Sequence, residues 1–466
     1  MHFTRRLLER PLSGALVVSS LALGAVTMMA SCSSDPDTRA GAPLPEAGPI
    51  DDSAAPDASA VPDDSGAVDA GPPLSDAATS DAGPRPVVCA SASCATSLVT
   101  TLGGPALATM FGAEGYCALL QDGTVACWGQ NENGQLGRGP AAGSDGSAMP
   151  ARVSGLSNIV ALDHTCAVDK DGATWCWGRG PFPGGDPFSG LANASTPVKL
   201  PIPPATRAAL YAGSAKGPEL SLAEFGVACG VVDDGVLCWG RNDSAQIAPL
   251  ESPYTSSSLD PQLVPMPPGA KIRSIHIGMA SFVLREDGTL LSWGFNPTIG
   301  RVSSLFPDPQ PKPVALTGVT NVDTLEAVAC AVAEGRVYCW RDVNSLEESF
   351  HDHALPERIP TPEPVVQVST TGRPYARGCV VGVSGDVYCW GKNKSGVLGD
   401  GTTNDAVAPV KVVGLPGPAS EVRTTDTSTC ALLATGKVYC WGDDRSGQLG
   451  GGTKKPTFVP REVLLP

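Results

Sequence analysis

Twelve of the 15 cysteines in this chain form six pairs whose members stand 9 or 10 residues apart. Thiols at this spacing can form disulfides across a hairpin, hold a metal, or be buried as small apolar residues. No Cys-x-x-Cys motif and no Cys/His cluster with zinc-ligand spacing occurs. The segment around each cysteine pair recurs once more along the chain, and in that copy Phe282 and Ser292 stand where both cysteines are expected. Joint loss of two partners indicates bonded pairs. We therefore predict disulfides at Cys117–Cys127, Cys166–Cys176, Cys229–Cys238, Cys330–Cys339, Cys379–Cys389 and Cys430–Cys440, with Cys89–Cys94 as a candidate seventh.

The histidines offer little further chemistry. Five are present, none stands in an H-E-x-x-H motif, and no G-x-S-x-G nucleophile elbow occurs. His351 and His353 could place two imidazoles on one face of a strand and ligate a metal, although a polar loop is the interpretation we favour. The sequence predicts no catalytic residue, no cofactor and no metal site.

The elements that position the cysteine pairs recur along the chain. A Cys–Trp–Gly signature appears seven times, and its tryptophans are about fifty residues apart, which is typical of repeat arrays and propellers. A single unit of this size is one small sheet that cannot bury both of its faces, so it must pack against neighbouring units. The tryptophans are Trp128, Trp177, Trp239, Trp293, Trp340, Trp390 and Trp441.

Each unit contains a hairpin followed by a loop. An Asp-Gly pair or a glycine alone lies midway between the two cysteine positions, as in Asp122-Gly123, and predicts a tight turn. A glycine-rich loop follows the tryptophan in units one, six and seven. No Lys-Ser or Lys-Thr pair completes a phosphate-binding motif there, so we interpret this loop as a structural turn.

A proline followed by a short apolar strand precedes each unit from the second onwards. Its last copy begins at Pro460 and has no Cys–Trp–Gly unit after it. We therefore predict an all-β, seven-bladed β-propeller in which this C-terminal strand pairs with the first unit and closes the ring.

The N-terminal part of the chain predicts export. Arg5, Arg6 and Arg10 precede an apolar stretch, so residues 1–31 are interpreted as a lipoprotein signal peptide. Cys32 after Ala30-Ser31 resembles the bacterial lipobox, which implies its acylation; an ordinary signal peptide with an incidental cysteine is the alternative. Residues 32–86 are rich in Asp, Ala, Pro and Ser and predict a disordered tether. Residues 87–466 form the predicted propeller.

The repeats resemble the regulator of chromosome condensation family. The resemblance rests on the Trp-Gly hairpins, on the loop Asn131 to Gly137, and on His164 two residues before Cys166. It implies a seven-bladed propeller, and the cysteine pairs look like those of exported bacterial members. The eukaryotic founder is a guanine-nucleotide exchange factor that binds nucleosomes. A net charge of −15 and the predicted export argue against nucleic acid and a cytoplasmic GTPase as partners here.

We therefore expect a monomeric, non-enzymatic scaffold, lipid-anchored in the cell envelope at the outer membrane, that binds a protein or glycan. Units two to five have lost the complete glycine loop, and units two and five supply the candidate contact residues, although neutral drift would explain their sequences equally well. A lyase or hydrolase with its active site in the propeller channel is the alternative function, and an exchange factor is a more distant one. The candidate contact residues are Phe182, Phe188, Arg341, Phe350, His351 and His353.

Overall fold

The computed structural model describes residues 83–101, 114–182, 192–217, 220–233, 235–250, 258–325, 328–341, 354–372 and 376–466. All of them belong to one compact unit, Asp76–Pro466. The predicted signal peptide, Cys32 and nearly all of the tether lie outside the described residues. Among the described residues, the single helical element is the 3-10 helix Pro140–Ala142.

The described chain forms seven four-stranded antiparallel sheets, which we call blades one to seven. Blade one contains β1 (Ala95–Thr100), β2 (Gly115–Leu120), β3 (Val125–Gly129) and β4 (Ser147–Arg152), and blade two contains β5 (Ile159–Asp163), β6 (Cys166–Asp169), β7 (Thr174–Gly180) and β8 (Ala192–Lys199). Blade three contains β9 (Ala205–Gly217), β10 (Leu220–Val232), β11 (Gly235–Arg241) and β12 (Ser258–Val264), and blade four contains β13 (Ile272–Ile277), β14 (Ala280–Arg285), β15 (Leu290–Gly294) and β16 (Asp308–Pro313). Blade five contains β17 (Val319–Leu325), β18 (Val328–Ala333), β19 (Arg336–Trp340) and β20 (Glu357–Ile359), and blade six contains β21 (Val365–Thr371), β22 (Arg377–Gly382), β23 (Val387–Gly391) and β24 (Ala406–Lys411). Blade seven contains β25 (Ala419–Thr424), β26 (Ser428–Leu433), β27 (Val438–Gly442) and β28 (Thr457–Glu462).

The blades form a closed ring. The first strand of each blade contacts the first strand of the next blade, and β25 of blade seven contacts β1 of blade one. These first strands therefore surround the central axis. The prediction of an all-β, seven-bladed propeller is confirmed.

The hairpins are built as their sequence indicates. Glycine at the turn between the second and third strands has a positive φ in every blade, from 72° to 131°, which side chains with a Cβ rarely adopt. The paired cysteines are register partners on these two strands and are disulfide-bonded in six blades. In blade four, Phe282 and Ser292 are register partners at the same position. A seventh disulfide joins Cys89 to Cys94, outside the hairpins.

The proline-containing strand does not begin a unit; it ends one. It is the fourth, outermost strand of each blade, and proline suits an exposed edge because it cannot donate to a further strand. The last copy, β28, pairs with β27 of blade seven, so the predicted pairing of this strand with blade one is wrong. Blade one already has four strands of its own from residues 95–152, and no place is left for β28.

The hydrophobic core is divided into clusters between neighbouring blades. Between blades one and two, for example, Val125 and Leu136 pack with Trp177 of the next blade. The seven signature tryptophans are all buried. Among the described residues, the indole Nε1 of six of them donates to a carbonyl in the preceding blade at 2.5–3.0 Å. Each of these six tryptophans therefore fastens its blade to the preceding one, whereas the Nε1 of Trp390 has no hydrogen-bond partner among the described residues.

Candidate functional site

The propeller has two faces of different construction. The tight glycine turns and the connections between blades lie on one face, which we call the turn face. The connections from first to second strand and from third to fourth strand lie on the opposite face, which we call the loop face.

Variation in length is concentrated on the loop face. Strands β9 and β10 have 13 residues each, about twice the length of the other first and second strands, and their hairpin extends at this face. The strands that flank the longer undescribed ranges also end there. These ranges are 102–113, 183–191, 251–257, 342–353 and 373–375. The loop face therefore differs from blade to blade, whereas the turn face is uniform.

The glycine loop is a tie between blades. In blade one, Leu136 N donates to Asn131 Oδ1 at 3.0 Å, and Gln135 O accepts the indole N–H of Trp177 at 2.9 Å. A Cβ added at Gly137 would lie about 3.0 Å from that indole ring, so glycine permits the close approach. The predicted structural role of this loop is therefore supported by its contacts.

Blades three and four keep this role with other residues. Asn242 Oδ1 accepts from Ile247 N at 2.9 Å, and Gln246 O accepts from Trp293. In blade four, Thr298 O accepts from Trp340 at 2.6 Å. These blades lack the complete glycine loop, as their sequences indicate, but they keep the tie because it is made by main-chain carbonyl groups rather than by particular side chains.

The candidate contact residues occupy two separate blades. Phe182 follows β7 in blade two, is half-buried, and packs against the cluster around Trp239. Arg341 follows β19 in blade five with φ of 61°. Blades three and four lie between these positions. Phe188, Phe350, His351 and His353 lie outside the described residues.

An apolar patch that the sequence did not predict lies on the loop face of blade four. Val302 is 84% exposed and Phe306 is 69% exposed. Phe306 packs edge-on against Phe295 with ring centroids 5.3 Å apart. Large apolar side chains exposed together on a soluble domain often mark a contact surface.

A polar cavity of about 70 Å³ lies on the axis, where the first strands end towards the loop face. Ionisable side chains from four blades line it together with hydroxyl groups of Thr and Ser residues. They are Asp163, His164, His276, Asp323 and Arg423.

The carboxylates at the axis also hold the ring together. Asp163 accepts from Leu210 N of the next blade at 3.3 Å, and Asp323 accepts from Thr370 N at 2.7 Å. Glu421 of blade seven accepts from Leu98 N of blade one at 3.1 Å. These axial ties connect the first strands of successive blades.

The axial ties were missed by sequence reasoning, although a signal exists. Polar residues recur two positions apart on the first strand, as in Asn321-Val-Asp323, Gln367-Val-Ser369 and Glu421-Val-Arg423. On a strand such residues share one face. Asn321 and Gln367 also accept main-chain N–H groups from the next blade.

The pKa values of the groups at the axis are shifted by burial and by the positive charge of Arg423. Burial raises the pKa of Asp163, Asp323 and Glu421, and Arg423 opposes the rise in each case. Burial lowers the pKa of His276 to about 3, and Arg423 adds to this effect. His276 is therefore a neutral imidazole at physiological pH. Within the part of the chain that the structure describes, no group of three His, Cys, Asp or Glu side chains could hold a metal ion.

A second buried polar cluster lies where blades six, seven and one meet. Thr425 Oγ1 donates to Glu114 Oε2 at 2.9 Å, while Glu114 Oε1 has no hydrogen-bond partner among the described residues. Arg377 donates to the carbonyls of Asp426 and Ser428. Burial, together with the negative charge of Asp426, raises the pKa of Glu114 to about 8.

The architecture defines a class: a closed seven-bladed β-propeller with disulfide-bonded hairpins and indole ties between blades. Models of the regulator of chromosome condensation (RCC1) repeat match residues 384–432 and residues 111–135 and 424–448. The chain therefore contains RCC1 repeats, and these matches together with the seven blades support the RCC1-repeat propeller family.

Similar proteins extend over most of the propeller. The ultraviolet-B receptor UVR8 of Arabidopsis thaliana is 26% identical over 369 residues, which are 76% of this chain and 80% of the receptor. Human WBSCR16 has a TM-score of 0.56 at 18% identity, with 74% of this chain and 95% of that chain covered. Prp20p of Saccharomyces cerevisiae has a TM-score of 0.55 at 20% identity, covering 73% and 85%. The two structures show a shared fold. No described helix is long and apolar enough to span a membrane.

Proposed function

We propose that the chain is a binding scaffold of the cell envelope that takes a protein or glycan partner on its loop face. The concentration of length variation on that face carries the proposal. Disulfide-bonded hairpins and ties between blades make the ring rigid, and loops held by a rigid scaffold are where binding usually occurs.

Relatives support a binding role. The yeast protein Prp20p has binding properties towards Gsp1p and histones, and Kap60 has been crystallised bound to yeast RCC1 (Prp20). We propose a different partner for this chain because its N-terminal sequence predicts export from the cytoplasm, and its net charge of −15 separately disfavours nucleic acid.

The proposed location rests on the N-terminal sequence. Acylation of Cys32 after cleavage of residues 1–31 would anchor the chain to a membrane, and Ser33 rather than aspartate after the cysteine favours the outer membrane. Mass spectrometry of the mature N-terminus tests this step. An unmodified N-terminus at any residue other than Cys32 would contradict it.

The apolar patch on blade four gives the sharpest test of the contact surface. In cells, a photo-reactive amino acid at Thr403 on the loop face should form adducts with the partner, whereas one at Gln121 on the turn face should not. Both positions are exposed. Val302→Ser and Phe306→Ser should reduce adduct formation several-fold. Val407→Ser is the matched control, because Val407 is 76% exposed but lies on the outer strand of blade six.

The variable loops of blades two and five are tested separately. Replacing residues 183–188 or 342–353 with the glycine loop of blade one keeps the half-buried Phe182 in place. The swap should lower partner capture and leave the melting temperature nearly unchanged. Unchanged capture in both variants would mean that these loops have drifted without function.

In the photo-crosslinking experiment, equal amounts of adduct from the positions Thr403 and Gln121 would contradict a binding role for the loop face as a whole.

The convergence of Asp163, Asp323 and two histidines at the axis is the observation that favours the alternative function, a lyase or hydrolase in the channel. As axial ties, these carboxylates should matter for stability. Asp163→Ala and Asp323→Ala leave the Leu210 and Thr370 amides without an acceptor and should therefore lower the free energy of unfolding by about 1–3 kcal/mol each. Loss of turnover of an envelope polysaccharide at unchanged stability would favour the enzyme instead.

A further inference from the structure

The junction between blades seven and one differs from the other six junctions. Elsewhere a peptide connection runs from the fourth strand of one blade to the first strand of the next. Blades seven and one have no such connection, and β28 does not cross to blade one. We call this junction the seam.

Among the described residues, two main-chain hydrogen bonds recur around the start of the first strand at four of the six junctions that have a peptide connection. Between blades one and two, Ile159 N donates to Gly123 O at 2.9 Å, and Asn158 O accepts from Lys170 N at 2.9 Å. The pattern joins the turn of one blade to the start of the next.

Cys94 takes the same place at the seam. Ala95 N donates to Gly436 O of blade seven at 3.0 Å, and Cys94 O accepts from Gln121 N at 2.9 Å. A Cβ added at Gly436 would lie 1.8 Å from Cys94 Sγ, so the turn of blade seven packs directly on this sulfur. Cys94 therefore replaces the missing connecting residue.

The segment before Cys94, residues 85–94, runs back over blades seven and six. We call it the N-terminal strap. Val88 N donates to Ala434 O at 2.8 Å, and Arg85 O accepts from Ser420 Oγ at 2.6 Å. Arg85 Nη2 donates to Val383 O of blade six at 3.0 Å. The Cys89–Cys94 disulfide lies between these contacts and the start of blade one.

We propose that the Cys89–Cys94 disulfide is a redox-sensitive lock that closes the ring at the seam. A thiolate of an external dithiol attacks one sulfur of the bond, and the other leaves as a thiolate. The second thiol of the reagent then resolves the mixed disulfide. The products are two protein thiols and the oxidised, disulfide form of the reagent.

The surroundings make this bond the first to be reduced. Cys89 is half-buried, whereas the twelve hairpin cysteines are buried between blades. The hairpin sulfurs are reached only after neighbouring blades separate. Access to the attacking thiolate therefore favours Cys89–Cys94.

The test is a titration of the purified full chain with dithiothreitol, followed by alkylation and peptide mapping. Cys89 and Cys94 should be alkylated at a lower reductant concentration than Cys229 and Cys238. Under those conditions, hydrogen exchange at the Ala95 amide should accelerate by roughly ten- to a hundredfold. Exchange at the Ile159 amide, where a peptide connection is present, should not change.

A double variant provides an independent test. Cys89→Ser with Cys94→Ser should reproduce the exchange of the reduced protein at the seam, whereas Cys229→Ser with Cys238→Ser should affect blade three. If the first variant does not fold, the titration of the parent protein still decides. Simultaneous reduction of all seven bonds, or unchanged Ala95 exchange after selective reduction, would overturn the proposal.

Discussion

At the scale of single residues, polar side chains do much of the work of joining the blades. Asp323 accepts a main-chain N–H from the following blade at the axis, and Glu421 does the same across the seam. A buried acceptor left without its donor costs about 1–3 kcal/mol. The carboxylates at the axis, which are of a residue type common in active sites, therefore stabilise the contacts between blades.

Glu114 leads to a prediction on pH dependence. Burial raises the pKa of Glu114 in the folded protein to about 8, against about 4.3 for an unfolded glutamate. Between these values the folded state holds a proton that the unfolded state has lost, so stability falls as pH rises through this window and levels off above about 8. In Glu114→Gln this contribution should disappear.

Urea unfolding at pH 6 and pH 9 measures the effect. The parent should lose up to a few kcal/mol between these pH values, and Glu114→Gln should lose less and be the more stable protein at pH 9. Thr425 and Gln448 can still donate to the amide oxygen. An identical pH slope in both proteins would show that Glu114 does not titrate in this window.

At the scale of the structural element, the hairpin is the repeating unit, and blade four is its informative exception. Phe282 and Ser292 are register partners where other blades have a disulfide. Phe282 is fully buried and meets Trp340 of the next blade edge-on, with ring centroids 5.7 Å apart. Packing between blades takes the place of the covalent bond.

A further prediction concerns a disulfide introduced into blade four at the position that holds one in the other blades. Phe282→Cys with Ser292→Cys should form a disulfide on oxidation, because the two positions face each other in register. The bond contributes up to about 3 kcal/mol. Loss of the buried ring costs about 3–5 kcal/mol. We therefore expect the oxidised variant to be less stable than the parent, by up to about 2 kcal/mol if the bond contributes its full 3 kcal/mol and by more if it contributes less.

Thiol titration and urea unfolding with and without reductant check this variant. The reduced form should be less stable than the oxidised form. Two free thiols after oxidation would contradict the register of β14 and β15.

At the scale of the whole molecule, the ring closes by packing. Leu98, Trp128 and Leu432 form a cluster across the seam, and Val463 after β28 is buried in it. The C-terminal segment therefore contributes to closure through side chains and not through strand pairing with blade one.

Truncation distinguishes these two modes of closure. Deleting residues 458–466 removes β28 and Val463, so we expect a loss of about 3 kcal/mol or more, or aggregation through the exposed edge of β27. Amide protection should be lost in β27 and retained in β3 and β4. Deleting only Pro466 leaves β28, Val463 and Leu465 in place and should leave the melting temperature close to that of the parent. Protection lost first in β4 would contradict the observed pairing.

The sequence by itself determined the number of blades, the hairpin turns and the tryptophan positions, because these depend on local spacing. A turn glycine and the alternation of apolar and polar residues in a strand are determined by neighbouring residues, so a repeat built from them can be recognised from the sequence. The proline strand was recognised as an element but assigned to the wrong end of the unit, because a repeat has no intrinsic starting point. Whether β28 pairs with β27 or crosses to blade one depends on which edge is free, and only the closed ring decides that.

The axial cavity, the apolar patch around Phe306 and the strap beneath Cys89–Cys94 were decided by the tertiary structure. The cavity and the strap bring together residues from blades or segments far apart in sequence, such as Asp163 with Arg423 or Cys94 with Gly436. Such contacts depend on the curvature that closes seven sheets into a ring, and no local spacing encodes them.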